Sequence, residues 1–426
     1  MDQPDDVLEH GPTRTPRRSV PIVVAAVVVL GLIAYGAVRL GGEGPRAGAA
    51  GSASPAPVAS HTPSASASWP VAEGLCQSEA RLPIVRPTPA PLRQTTGLRV
   101  VVGGAGLSVV DVDTGHSRTL SGVPNGENVT ELVRSGDDVY ALSSPCYQHG
   151  DDEWSPTVLR ITGDGAIDRV HFAGPVGSLV GGSAGVWGLH YPDGDGKPTL
   201  LRSLAGESVR LPKRVWLAGV AEDAIVAEVM GDPESDDRPA LAVFDPDTGK
   251  VRRRIPGASP LGVGDDFVLW MQDCASPYSV ASRRCVLHRA ALGRRTGSDR
   301  TYKLPPGRVP FGLATLSRDG RYAAFQLSMP HQDSQYTTGH PGPPSEIAVL
   351  DLASGALHLI PGLELAPKSF AGLAFAPDAR WLLLAINAGS HGRLLAWHVG
   401  SDRLLRCPGT LPGPLSTAPP MVVMAG

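Results

Sequence analysis

Lysine is nearly missing from this chain, with five among 426 residues. Arginine supplies the other cations, and 38 Lys plus Arg against 41 Asp plus Glu leave a net charge of -3. That balance excludes a strongly basic nucleic-acid binder. Charged residues make up only 19% and aromatics only 5%, yet 42% of the residues are hydrophobic. Such a fraction fills a core and excludes a wholly disordered chain. Cysteine is limited to five residues, and no pair shows the Cys-x-x-Cys spacing of a zinc ribbon. No metal site is therefore expected. No Walker loop and no dinucleotide glycine pattern opening a helix occurs, so no cofactor is expected. After residue 90 an apolar period of 3.6 is almost absent, which removes amphipathic helices from the reading.

One long uncharged run stands out, from Pro21 to Val38. At about 1.5 Å per residue it reaches about 27 Å, close to a hydrocarbon core. Arg14, Arg17 and Arg18 precede it and Arg39 and Arg46 follow, which leans towards an N-terminus on the cytoplasmic side. The expected order is a cytoplasmic tail over 1–19, a transmembrane signal anchor over 20–40 and a disordered Ala/Ser/Pro linker over 41–70. An extracytoplasmic domain over 71–426 completes the chain. Alternatives are a buried core helix or a cleaved signal peptide, with Ala34-Tyr35-Gly36 as its small-x-small site. The expected location is the cell membrane, crossed once, with the C-terminal domain outside. Disulfides suit that compartment. Cys274 and Cys285 bracket a loop and form the preferred pair, while Cys76 has Cys146 or Cys407 as its partner.

Two patterns recur beyond the linker. A short polar turn precedes an apolar strand start at Ser135–Asp138, Gly182–Gly185, Glu222–Ala224, Gly264–Asp266, Arg318–Arg321 and Pro377–Arg380. A second pattern is an apolar strand ending in a turn: Val109-Val110-Asp111-Val112-Asp113-Thr114-Gly115. It returns at Val243–Gly249 and Val349–Gly355, with a degenerate copy at Leu395–Gly400. Glycine accepts positive φ there, and Asp or Ser bonds the turn backbone. Repeats of roughly 40 to 60 residues, each holding four short strands, predict an all-β propeller. Seven blades fit best, with six or eight as alternatives. The first unit, over about 98–122, lacks an inner strand. The apolar run Met421-Val422-Val423-Met424 is expected to supply it and to close the ring, which removes exposed sheet edges.

The turns Ser317-Arg318-Asp319-Gly320-Arg321-Tyr322 and Ala376-Pro377-Asp378-Ala379-Arg380-Trp381 resemble the repeat of TolB-like propellers. That repeat reads Ser-Pro-Asp-Gly, a basic residue, then an apolar strand. Arg318 stands in place of its Pro and Ala379 in place of its Gly. The resemblance implies a propeller and no particular activity, because the repeat serves binding modules and enzymes alike. Heavy use of Ala, Gly, Arg and Pro with scarce Lys matches a GC-rich genome, as in actinobacteria, and with the apolar run at 21–38 the expected type is a membrane-anchored, actinobacterial one.

In a four-stranded blade (a to d, from the axis outwards) the a–b and c–d turns share one rim, and the b–c and d–a connections share the other. The a–b and c–d turns are read as short. The b–c connections are read as long in six units, at about 145–156, 191–199, 230–239, 272–284, 329–346 and 387–393. Long loops on a rigid scaffold are where binding residues usually sit. The candidate partner-binding face comprises Tyr147, Asp151, Asp152, Trp154, Tyr191, Asp193, Asp195, Asp232, Asp236, Tyr278 and Tyr336. An acidic, aromatic face suits a basic partner protein, a cation or an envelope polymer; solvated loops are the plainer account.

Catalytic patterns carry less. Gly181-Gly182-Ser183-Ala184-Gly185 matches a nucleophile elbow, but a strand rather than a helix follows it. Asp111-x-Asp113-x-Gly115 and Asp245-x-Asp247-x-Gly249 faintly match calcium loops but lack the closing bidentate Glu, so turn chemistry is expected. His149, His331, His340 and His391 lie singly in loops. The expected function is a non-enzymatic binding module at the envelope, with no catalytic residue. The alternative is an envelope enzyme of carbohydrate-active or lyase type, with carboxylates or histidines converging on a central channel.

Overall fold

The chain divides into two units, Met1–Trp69 and Pro70–Gly426. A computed structural model describes residues 84–85, 88–124, 127–145, 156–163, 165–190, 199–230, 239–272, 274, 285–292, 299–328, 344–366, 370–387, 391–411 and 419–425, all in the second unit. The proposed membrane segment and linker lie outside the described residues. Among the described residues there is no helix, and none long and apolar enough to cross a membrane.

Seven sheets, each built on four consecutive antiparallel strands or their equivalent, make a seven-bladed propeller. The innermost strands, in blade order, are Met421–Ala425, Glu127–Ser135, Ser178–Gly182, Val215–Ala221, Ala258–Val263, Val309–Leu316 and Gly372–Phe375. Blade 1 takes its inner strand from Met421–Ala425, which pairs antiparallel with Leu98–Gly103 in the register Val100 to Val423. The expected closure is therefore the one formed.

The second strand of blade 4, Ala224–Val229, shows why these strands read as unbroken apolar runs. Ile225 and Ala227 pack with Trp187 and Leu201 of blade 3. Ala224 and Val226 pack with Ala258, Val268 and Trp270 of blade 5. Successive strand side chains point to opposite faces, and here each face meets a neighbouring blade, so both must be apolar. Full burial stabilises by about 1.5–3 kcal/mol per large aliphatic side chain. The outer strand Val251–Pro256 has only one covered face and carries Arg252, Arg253 and Arg254, all exposed.

The recurrent c–d turn is an Asx turn repeated from blade to blade. Asp111 Oδ1 accepts from the N–H groups of Asp113 (3.1 Å) and Thr114 (2.8 Å) and from Thr114 Oγ1 (2.8 Å). Asp245 Oδ1 repeats this with Asp247 (3.1 Å) and with Thr248 through its N–H and Oγ1 (both 2.9 Å). Asp351 Oδ1 bonds Ala353 at 2.8 Å and Ser354 at 3.1 Å. Gly115, Gly249 and Gly355 close the three turns at φ of 69°, 66° and 79°. These aspartates are turn formers, as expected.

Three features differ from the sequence reading. The c–d connection 292–299 of blade 5 is long, on the rim expected to hold only tight turns. Blade 7 has a short b–c connection, 388–391, because its strands stay paired up to Asn387 and Gly392. Five blades, not six, therefore carry long b–c connections. The residues before blade 1 also join the ring. Ala90–Pro91 adds a parallel strand outside Leu404–Arg406 of blade 7, and Ile84–Val85 pairs with Leu363–Glu364 between blades 6 and 7.

Candidate functional site

The inner strands surround a cavity of about 690 Å³ that reaches the a–b rim. Its wall is mostly glycine and aliphatic: Gly181, Gly182, Ala218, Gly262, Leu313 and Val422 among others. Charge gathers at the a–b mouth, where Arg134, Arg318, Asp265, Asp266 and Asp319 border the opening. Arg134 is held in place. Its Nε donates to Gly136 O at 2.9 Å, its Nη1 to Val423 O at 3.2 Å, and Asp137 lies 3.9 Å from its Nη2. Burial and the nearby Arg318 charge lower its pKa, against the opposing pull of Asp137. Asp319 belongs to its own turn, where Oδ1 accepts from Ser317 Oγ at 2.6 Å and from Arg321 N at 3.1 Å.

The b–c rim carries the long connections 146–156, 191–198, 230–239, 273–285 and 329–345. Tyr147, Asp151, Asp152, Trp154, Tyr191, Asp193, Asp195, Asp232, Asp236, Tyr278 and Tyr336 all lie outside the described residues, as do His149, His331 and His340. The strand ends that support these connections are described, and they hold buried polar groups.

Two carboxylates clip neighbouring blades together. A bulge between Val129 and Glu131 breaks the regular register of blade 2, and bulges re-aim side chains. Glu131 accepts from Ser178 Oγ at 2.9 Å and from the Leu179 N–H, both on the inner strand of blade 3. Glu228 of blade 4 accepts from Ser259 Oγ of blade 5 at 3.0 Å. Burial raises both carboxyls, and the hydrogen bonds only partly oppose it.

Glu228 has unusual company. Its register partner on the inner strand is Trp216, which is 54% exposed while Glu228 is 9% exposed. Met230 follows on the strand of Glu228 and is 38% exposed, still paired through its N–H to Arg214 O at 2.9 Å. Directly paired residues on antiparallel strands share a face. Sequence reasoning missed this group because Trp216 and Met230 read as ordinary strand hydrophobics, and only the register sets them beside a carboxylate.

His190 ends the second strand of blade 3 at the same rim, 6% exposed, with Nε2 lacking a hydrogen-bond partner. Burial and the Arg202 charge lower its pKa, and a backbone hydrogen bond at Pro175 opposes them.

The remaining sequence candidates resolve plainly. Ser183 sits in the hairpin between Ser178–Gly182 and Gly185–His190, so no strand-to-helix elbow exists there. Cys274 and Cys285 form the expected disulfide. Cys407 is a free, buried thiol, and Cys76 and Cys146 lie outside the described residues. Among the described residues no three His, Cys, Asp or Glu side chains group as metal ligands.

No family profile matches the chain, and no curated protein matches its sequence. Solved structures with similar backbones include TolB from Acinetobacter baumannii, 12% identical, with a TM-score of 0.41 over 78% of this chain and 67% of that one. Apo AztD from Citrobacter koseri is 13% identical, with a TM-score of 0.44 over 76% of this chain and 97% of that one. A prolyl endopeptidase is 12% identical, with a TM-score of 0.48 over 76% of this chain and 49% of that one. At such values the likeness carries no argument about activity. The propeller assignment rests on this chain's own strand pairing.

Proposed function

We propose that this chain is a membrane-tethered, extracytoplasmic propeller, of the kind a GC-rich actinobacterial sequence suggests, that binds a partner protein or an envelope polymer. The rim bearing the b–c connections is its recognition face. One observation carries the reading: five blades place their long connections on that rim, against a single long connection on the other. A closed ring is a rigid support for such loops. The anchor over 20–40 and the linker over 41–70 would hold the domain near the membrane surface.

The enzymatic alternative places its site at the central channel, where the described carboxylates gather at the a–b mouth. Asp319 is committed to its turn there, and the described wall is largely glycine and aliphatic. Binding is the function this geometry supports best. Full-length protein in detergent, compared with a variant in which residues 231–238 are replaced by a short Gly/Ser bridge, tests it in capture from envelope extracts. The variant is expected to lose partners that the parent retains. Identical capture by both argues against this rim.

A further inference from the structure

The geometry points to a site for a basic side chain, an ammonium or guanidinium presented by a partner peptide, formed by Trp216, Glu228 and Met230 at the b–c end of the cleft between blades 4 and 5. This deepens the proposed binding function and rests on it, naming the chemistry of the partner.

Three observations converge. Trp216 lies on an innermost strand yet is 54% exposed, although strand residues one position away, Val215 and Leu217, are buried. An indole left half in water, beside a second exposed apolar side chain in Met230, is unfinished burial. Glu228 faces the opposite imbalance: it is only 9% exposed and accepts from Ser259 Oγ of the next blade at 3.0 Å. Burial disfavours its ionised form and raises its pKa, and a cation seated beside it would reverse that penalty.

An indole face attracts a cation through its quadrupole, and Met contributes a polarizable thioether that adapts to irregular shapes. The long methylene stem of Lys or Arg suits such a site, since it covers apolar surface while its head meets the carboxylate.

The comparable clip at Glu131 and Ser178 supplies an internal control, because it is also a buried carboxylate bonded to a serine of the next blade. No exposed tryptophan is paired with it: the register partner of Glu131 is Leu142.

Fluorescein-labelled hexa-arginine and neutral hexa-glutamine serve as probes, read by anisotropy on the full chain in detergent. The parent is expected to bind hexa-arginine and not hexa-glutamine. W216A and E228Q should each weaken hexa-arginine at least tenfold, W216F should weaken it less, and E131Q should leave it unchanged. Gln at 228 can still accept from Ser259, so the fold is kept, and thermal melts verify this for every variant. Equal affinity in parent, W216A and E228Q overturns the site, as does absence of binding by the parent. Weakening by W216A but not E228Q also overturns it, in favour of an uncharged ligand. The 231–238 replacement separates the two proposals: loss there with none at Trp216 or Glu228 supports the rim and sinks this site.

Discussion

Val423 lies in register with Val100 across the closure of blade 1, and the two side chains are 2% and 0% exposed. Met421, Val422 and Met424 are buried beside them. Four such side chains contribute about 6–12 kcal/mol at about 1.5–3 kcal/mol each, similar to the whole stability of a typical domain, about 5–15 kcal/mol. Removing residues 420–426 is therefore expected to abolish cooperative unfolding and cause aggregation, visible by thermal circular dichroism and gel filtration. A truncated chain that stays monomeric and melts sharply contradicts this account of closure.

Gly136 and Gly249 share nearly the same backbone, with φ of 63° and 66°, but not the same surroundings. A β-carbon at Gly136 meets nothing within 4 Å, whereas one at Gly249 would overlap the Arg210 carbonyl of blade 3. G136A should cost only the left-handed backbone penalty, about 1–2 kcal/mol. G249A must also push blades 3 and 4 apart and should cost at least about 1–3 kcal/mol more, as overpacking does. Denaturant midpoints measure both; equal losses would mean that the turn does not dock on blade 3.

The buried ionisable groups pull in opposite directions with pH. His190 has its pKa lowered from an ordinary 6.5, so the folded state binds fewer protons than the unfolded one. Its stabilising share is present above 6.5 and is lost as pH falls through the folded pKa. Glu131 is raised from 4.5, so its share is present below 4.5 and is lost as pH rises through the folded pKa. H190Q should flatten the decline of the denaturant midpoint on acidifying below about pH 6.5. E131Q should be more stable than the parent at pH 7, with the gap closing towards pH 4.5. An unchanged pH profile in either variant refutes the corresponding assignment.

Cys407 is 2% exposed, and burial, reinforced by the Asp113 charge, pushes its thiol up to about 12. Thiolates, not thiols, react with electrophiles. In a C76S/C146S variant, Cys407 should resist a thiol reagent in the native protein and react fully in denaturant. Prompt native labelling would mean that the site opens.

Reduction of Cys274–Cys285 acts differently. The two residues are 11 apart, and opening so short a loop costs up to about 3 kcal/mol in the chain-entropy picture. The denaturant midpoint should fall in reductant and should not respond to reductant in a C274S/C285S variant. A midpoint indifferent to reductant in the parent places the loop outside the cooperative unit.

Much of the ring was legible because its signals are local. Turns such as Asp245–Gly249 repeat the same side-chain chemistry, and their spacing sets the blade count. The apolar run at Met421–Met424 had no unit of its own, which marked it as the missing strand. Other features carry no local signal. Ala90–Pro91 joins blade 7 through a parallel pairing of two residues, too short for any alternation. The paired ends Asn387 and Gly392 shortened a connection that looked long from composition. Trp216 and Glu228 lie 12 positions apart in sequence and meet only through a register that includes a bulge. The eleven rim residues chosen for partner binding remain a reading of sequence.

The zipper between Leu98–Gly103 and Met421–Ala425 also sets an order of events. A nascent chain delivers the first of these strands early and its mate after all the intervening sheets. Until then the seam stays open, with two bare strand edges exposed. Productive folding must wait for the late strand, and a chain that stalls midway leaves both edges open to aggregation.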